Sequence, residues 1–65
     1  MDKEFERLLK KSNKTIYRVS KDTGINVSTF YQWKKGTYTP KIDKLIKIAK
    51  YFGVSAEVFL REVTD

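Results

Sequence analysis

The spacing of apolar residues along the chain predicts short helices rather than strands. Near the N-terminus, Phe5, Leu8 and Leu9 lie at i, i+3 and i+4, the spacing of one face of an α-helix. Acidic residues lie in the first turn and lysines in the last, as the helix dipole favours. These features predict a first helix over residues 2–11, with Asp2 as its N-cap.

Two further helices meet at a glycine. Thr15 is a suitable N-cap for a helix over residues 16–23, and Gly24 suits the left-handed residue that ends it. Asn26 is the next N-cap, and it precedes a third helix over residues 27–35. Two helices joined by a short glycine-containing turn form the helix-turn-helix pattern, whose second helix enters the major groove of DNA.

The third segment also contains β-branched and aromatic residues, so local propensity alone leaves a strand conceivable over residues 25–33. We favour a helix because Asn26 provides a cap. Phe30 and Trp33 also lie three residues apart, which places both on one helical face. Ile25, in the turn, is expected to fill part of the core.

The C-terminal part predicts a loop over residues 37–40, a fourth helix over residues 41–52 and a fifth over residues 56–63. The apolar stripe expected on the fourth helix consists of Ile42, Leu45, Ile46, Ala49 and Phe52. Together the pattern predicts an all-α, compact five-helix bundle, a single domain over residues 1–65. Its expected core is Phe5, Leu8, Leu9, Val19, Ile25, Phe30, Trp33, Leu45, Ala49, Phe52, Val54 and Phe59.

Positive charge is concentrated in the middle of the chain. The 65 residues have a net charge of +6, whereas residues 10–50 contain eleven lysines or arginines and two aspartates, or +9. A basic domain suggests a polyanionic partner, although lysines that only keep a small protein soluble would give the same count. With no histidine or cysteine, and no phosphate-binding glycine loop, neither an enzyme nor a metal site is predicted.

The predicted third helix presents an unusual outward face, because it contains no acidic residue. Glutamine pairs with adenine, hydroxyls donate or accept, and valine contacts the thymine methyl group. The alternative is the ordinary surface of a small bundle. The residues that point away from Phe30 and Trp33 are Val27, Ser28, Tyr31, Gln32 and Lys35, with Thr29 at the edge.

From Thr15 to Leu60, 46 of the 65 residues, the sequence resembles the phage-repressor and Cro-type helix-turn-helix domains, the Xre-like or lambda-repressor-like family. The matching positions in the first segment are Gly24, Ile25, Phe30, Trp33, Gly36 and Pro40. Those in the second segment are Leu45, Ala49, Gly53, Val54, Ser55 and Leu60.

The resemblance implies a repressor-like or Cro-like transcriptional regulator from a phage or bacterium. Such a protein binds double-stranded operator DNA as a homodimer on a two-fold site, in the cytoplasm and nucleoid of the host. No cofactor, membrane or small-molecule ligand is expected. The implied base contacts are Asn26, Val27, Ser28, Thr29, Tyr31 and Gln32. The implied phosphate contacts are Thr15, Ile16, Tyr17, Lys34, Lys35, Thr39 and Lys41.

The sequence departs from the family pattern at five positions. Ile16 replaces a common glutamine, so a phosphate clamp is expected to be missing. Ser20 and Thr23 replace alanine and leucine, which makes the packing between the two motif helices more polar. Lys34 and Lys35 replace a common Glu-Asn pair and add positive charge.

A second hypothesis is a protein-interaction module, such as an antirepressor or adaptor, whose basic surface meets an acidic partner. The operator sequence and the choice between repression and activation are left open. The candidate dimer surfaces are the exposed apolar residues of the last helix and the loop around Tyr38.

Overall fold

The computed structural model describes the backbone of residues 3–63 and the side chains as far as Leu60. Within that range the chain forms five α-helices and no strand, so the predicted all-α bundle is confirmed. The helices are α1 (Lys3–Ser12), α2 (Ile16–Thr23), α3 (Val27–Lys35), α4 (Ile42–Phe52) and α5 (Glu57–Val63).

The predicted bounds agree with the structure for α2 and α3 and differ by one residue for the other helices. Ser12 extends α1 because its hydroxyl donates to a backbone carbonyl one turn earlier, and Asn13 then adopts a left-handed φ of 56°. Lys41 is the N-cap of α4 and not its first helical residue. The predicted cap Asp2 lies outside the described residues.

The ends of α2 and α3 are set by their caps. The Thr15 hydroxyl accepts a hydrogen bond from the Arg18 backbone N–H at 3.1 Å, and the Asn26 side-chain oxygen accepts one from the Ser28 N–H at 2.9 Å. Each satisfies a helical N–H group that has no intrahelical partner. Gly24 ends α2 with a φ of 77°, a conformation in which any residue with a Cβ is strained.

An aromatic cluster around Phe5 is the centre of the core. The Phe5 ring stacks on Trp33 with a centroid separation of 4.8 Å and on Phe30 at 5.4 Å. Phe52 approaches Phe5 edge-on, and Phe59 approaches Trp33 in the same way. Rings from α1, α3, α4 and α5 therefore meet in one contact network.

The buried core differs from the predicted one at a few positions. Leu9, Phe52 and Val54 are only partly buried and pack against its edge, whereas Ile48, absent from the predicted set, is fully buried. In the part of the chain that the structure describes, the core consists of Phe5, Leu8, Val19, Ile25, Phe30, Trp33, Leu45, Ile48, Ala49 and Phe59.

The buried face of α4 differs from the predicted apolar stripe. Ile42 is 57% exposed and Ile46 is 40% exposed, so these two members of the stripe lie outside the core, and the predicted core set did not include them. The buried residues of α4 are Leu45, Ile48 and Ala49. Both stripes have the helical spacing i, i+3, i+4, so α4 has more apolar residues than one face accommodates, and packing selects between them.

A polar contact joins α2 to α4 at the surface. The Tyr51 hydroxyl donates to the Asp22 carboxylate, which also accepts a hydrogen bond from the Arg18 side chain at 3.1 Å. The Lys14 ammonium lies 5.5 Å from the centroid of the Tyr51 ring. Because Asp22 and Tyr51 are 29 residues apart, this contact fastens the helix-turn-helix unit to the C-terminal half of the described bundle.

Two matched substitutions on α4 test the corrected stripe. We expect Ile48→Ala to lower the free energy of unfolding by about 2–5 kcal/mol, because it leaves a cavity in the core. Ile46→Ala should change it by only about 0.5 kcal/mol, as at other surface positions. Urea unfolding of both variants measures the difference, and equal losses would contradict this assignment of faces.

A second test concerns pH. The Tyr51 hydrogen bond, supported by the charge of Arg18, lowers the pKa of Asp22 below its ordinary value of 3.8. A carboxylate with a lowered pKa stabilises the fold above its unfolded pKa, and that contribution disappears as the pH falls through the folded pKa. The stability difference between wild type and Asp22→Asn should therefore be full at pH 7 and shrink below pH 3.8.

Urea unfolding at a series of pH values measures this difference. Tyr51→Phe is the matched control, since it keeps the ring against Lys14 and removes only the hydroxyl that donates to Asp22. A wild-type curve that runs parallel to the Asp22→Asn curve at every pH would show that ionisation of Asp22 does not stabilise the fold.

Candidate nucleic-acid interface

The turn between α2 and α3 is held by side chains of α2. Thr23 is buried, with 6% of its surface exposed. Its hydroxyl donates to the Val19 carbonyl at 2.7 Å and accepts from the Ile25 N–H at 3.3 Å. The Ser20 hydroxyl donates to the Ile25 carbonyl. Both backbone polar groups of Ile25 are thus satisfied while its side chain is buried. The two hydroxyls were expected only to make this packing more polar, and they also orient the turn.

The position of helix α3 is fixed by its inner face. Phe30 is fully buried and Trp33 is 4% exposed, and both rings stack on Phe5. Because the Phe30 and Trp33 side chains are buried, the rotation of α3 about its own axis is fixed. The side chains that this setting leaves exposed on the opposite face are Ser28, Tyr31, Gln32 and Lys35.

The other predicted base contacts lie at the margins of this face. Val27 and Thr29 are half-buried, so each offers only part of its side chain to a ligand. Asn26 is exposed, but its side-chain oxygen already caps α3. Its amide nitrogen is therefore the group that remains as a donor toward a base or a phosphate.

The two lysines at the end of α3 lie on different flanks. Lys35 is exposed beside Gln32 on the outward face, whereas Lys34 lies toward α1. There an open cavity of about 140 Å³ is lined by residues of α1, α2 and α3. The structure therefore does not bring Lys34 and Gln32 together. The cavity is lined by Glu6, Leu9, Lys10, Ile16 and Lys34.

The remaining predicted phosphate contacts come from the starts of α2 and α4. Thr15, Tyr17, Thr39 and Lys41 are exposed, while Ile16 is half-buried and packs against the core. Lys41 is the N-cap of α4 but makes no side-chain cap hydrogen bond. Of these residues, Ile16 has no side-chain donor, so only its backbone N–H is able to bind a phosphate.

The stretch of sequence around α3 carries no negatively charged side chain. Residues 23–42, which include all of α3 and the loop after it, contain no aspartate or glutamate. The nearest acidic residue before this stretch, Asp22, is engaged by Tyr51 and Arg18. A polyanion that approaches α3 therefore meets lysines and neutral polar groups, and it is not repelled by any carboxylate of this stretch.

Comparison with known families gives the identity of the domain. A helix-turn-helix domain family matches residues 3–64. The chain belongs to this family of Xre/Cro-like helix-turn-helix domains. No curated protein and no solved structure shows a significant match to the chain.

Membership confirms the resemblance seen in the sequence and extends it to all five helices. An Xre/Cro-like helix-turn-helix domain indicates a DNA-binding regulator in general terms, and domains of this kind are typically not enzymes. In the described part of the chain, no helix is both long enough and apolar enough to cross a membrane.

The role of Asn26 as a cap is testable apart from any ligand. We expect Asn26→Ala to lower the free energy of unfolding by about 1 kcal/mol, because the first turn of α3 loses its acceptor. Asn26→Asp should leave stability nearly unchanged, since aspartate caps as well as asparagine. Thermal unfolding of the two variants measures this, and equal destabilisation by both would contradict the capping role.

Proposed function

We propose that this Xre/Cro-like domain is a sequence-specific transcriptional regulator, a phage or bacterial repressor or Cro-like protein, that inserts α3 into the major groove of an operator. It would act in the cytoplasm of a bacterial host, on nucleoid DNA. The observation that supports this most directly is the acid-free outward face of α3, held in one setting by the buried rings of Phe30 and Trp33.

The chemistry of that face suits base readout. The Gln32 amide has the donor and acceptor needed for a bidentate pair with adenine, and the Ser28 hydroxyl serves as either donor or acceptor. Tyr31, 47% exposed, adds a ring and a hydroxyl beside them. Asn26, Val27 and Thr29 contribute at the margins, where the first turn of α3 meets the groove.

Phosphates would be bound around this face. The candidate groups at the start of α2 are the exposed side chains of Thr15 and Tyr17 and the backbone N–H of Ile16. Lys35 is exposed at the end of α3, Thr39 and Lys41 are exposed just before α4, and Lys34 adds charge from the flank that faces α1. Helix N-termini favour phosphate because their N–H groups and dipoles point toward it.

We further propose that two copies bind a two-fold symmetric operator. Equivalent recognition helices then lie about 34 Å apart, one turn of DNA. The chain measures 29 × 24 × 20 Å, so two copies placed side by side are of the right size for adjacent major grooves. Selection of binding sites from random duplex DNA tests this directly, because a symmetric enriched sequence is expected.

Gln32→Ala tests base readout. On the selected site we expect binding to weaken by about 1–3 kcal/mol and the preference at one base pair to relax, because one bidentate pair is lost. Affinity for random DNA should stay the same. Gel-shift or fluorescence titration on both DNAs measures the two changes, and equal losses on specific and random DNA would contradict base readout by Gln32.

Lys35→Ala is the matched control one turn further along the same face. It should weaken binding to all sequences alike and reduce the slope of log affinity against log salt by about one, since it removes one phosphate contact. Wild-type binding without salt dependence, or no DNA binding at low salt, would instead favour the protein-interaction module.

A further inference from the structure

One flank of α4 is exposed although it is partly apolar. Ile42 and Ile46 lie one turn apart and are 57% and 40% exposed. Lys50 follows one turn later on the same row, and Asp43 lies beside Ile42. Both charged residues are exposed. We refer to Ile42, Asp43, Ile46 and Lys50 as the α4 flank.

The rest of the described bundle leaves this flank uncovered. The inner face of α4 packs into the core through Leu45 and Ile48. On another side the helix meets α2, where Tyr51 donates to Asp22 and Lys47 lies near Gly24. The α4 flank lies on neither of these sides, so Ile42 and Ile46 remain partly exposed to water, whereas Leu45 and Ile48 are buried.

Neither charged residue of the flank forms an ion pair within the described part of the chain. Among those residues, ion pairs join Arg7 to Glu4 and Arg18 to Asp22, and neither Asp43 nor Lys50 takes part. Asp43 is the acidic residue of the first turn of α4, and Lys50 is the basic residue of its last turn. Along the helix the flank therefore has Ile42 and acidic Asp43 at one end, Ile46 in the middle and basic Lys50 at the other end.

The acidic end of this flank is complementary to the basic end of the same flank on a second copy that runs in the opposite direction. We infer that the α4 flank is the docking surface for a second copy of this chain, in a two-fold arrangement whose axis passes near Ile46. The two α4 helices then run in opposite directions, Ile46 packs against its symmetry mate, and Asp43 of each copy meets Lys50 of the other. A two-fold contact uses the same patch on both subunits, as this arrangement requires.

The distances along the helix fit this pairing. Asp43 lies three residues before Ile46 and Lys50 lies four residues after it, or about 4.5 and 6 Å at 1.5 Å per residue. The ammonium of Lys50 in one copy thus reaches the Asp43 carboxylate of the other copy. The aliphatic part of the same lysine covers the exposed side of Ile42 in that other copy, as long lysine side chains commonly do.

The size of the flank also predicts how strong the contact is. Stable interfaces bury about 1,200–2,000 Å², far more than two isoleucines and two charged residues provide. We therefore expect the free chain to be mainly monomeric and the dimer to form when two copies occupy adjacent half-sites. This assignment rests on the proposed binding to a two-fold site.

A charge swap tests the pairing. The measured quantity is the cooperativity ratio, the affinity for DNA with two half-sites relative to DNA with one. Couplings of this kind are typically about 5–150-fold, and we expect the wild type to fall in that range. D43K and K50D should each lose most of the ratio because like charges then face each other, whereas the double variant D43K/K50D should recover it.

Lys11→Asp is the control for net charge, since Lys11 lies exposed on α1 and K11D changes the charge as K50D does. It should leave the cooperativity ratio at the wild-type value. Half-site affinity is measured in the same titrations. Because the cooperativity ratio is taken relative to it, a direct effect of charge on DNA binding does not enter the ratio. A D43K variant with full cooperativity, or a double variant without recovery, would overturn the proposed contact.

Cross-linking separates this proposal from the proposed function. The chain contains no cysteine, so Ile46→Cys and Lys11→Cys each place a single thiol. With a short bismaleimide at high protein concentration and no DNA, I46C should form a covalent dimer and K11C should not. Equal cross-linking of both variants would overturn the docking surface. Specific cross-linking of I46C in a chain that selects no DNA site would instead support the surface and overturn the proposed function.

Discussion

The stacking of Phe5 on Trp33 and Phe30 is the contact on which the rest of this small bundle depends. Phe5 comes from the first helix, and the two rings that it meets belong to α3, 25 and 28 residues later. The segment 27–35 has a weak intrinsic preference for helix, because β-branched and aromatic residues lose side-chain freedom there. Burial of its two large rings therefore stabilises both the helical conformation and the position of α3.

The same contact determines which side chains face outward. Once Phe30 and Trp33 point into the core, Ser28, Tyr31, Gln32 and Lys35 must lie on the opposite side of the helix. The hydroxyls of Ser20 and Thr23 then fix the turn by satisfying the backbone of Ile25. A recognition helix needs this rigidity, because base readout depends on groups held in hydrogen-bonding register with the groove.

The fourth helix shows how a short helix supports several contacts at once. One face enters the core through Ile48, another meets α2 through Tyr51, and the flank of Ile42 and Ile46 remains exposed. In a chain of this size the core alone supplies limited stability, so a hydrogen bond that joins sequence-distant helices adds to the definition of the fold. The exposed flank is the surface that we propose for contact with a second copy.

The sequence by itself determined the number of helices, most of their ends, the helix-turn-helix unit and its family. These features depend on residues close together in the chain: Thr15 and Asn26 cap, Gly24 turns, and the pair Phe30 and Trp33 marks an inner face. The outward residues of α3 followed from that pair by helical geometry alone, so this part of the candidate interface was predictable.

Tertiary structure decided the features that depend on how helices are rotated against each other. Two apolar stripes of equal spacing overlap on α4, and only packing shows that Ile48 is buried while Ile46 is exposed. Likewise, only the position of α1 shows that Lys34 lies beside Glu6 and Lys10. The Tyr51–Asp22 hydrogen bond has no local sequence signal, because its partners are 29 residues apart. Capping and periodicity are encoded locally, whereas the rotational setting of a helix is selected by all of its neighbours together.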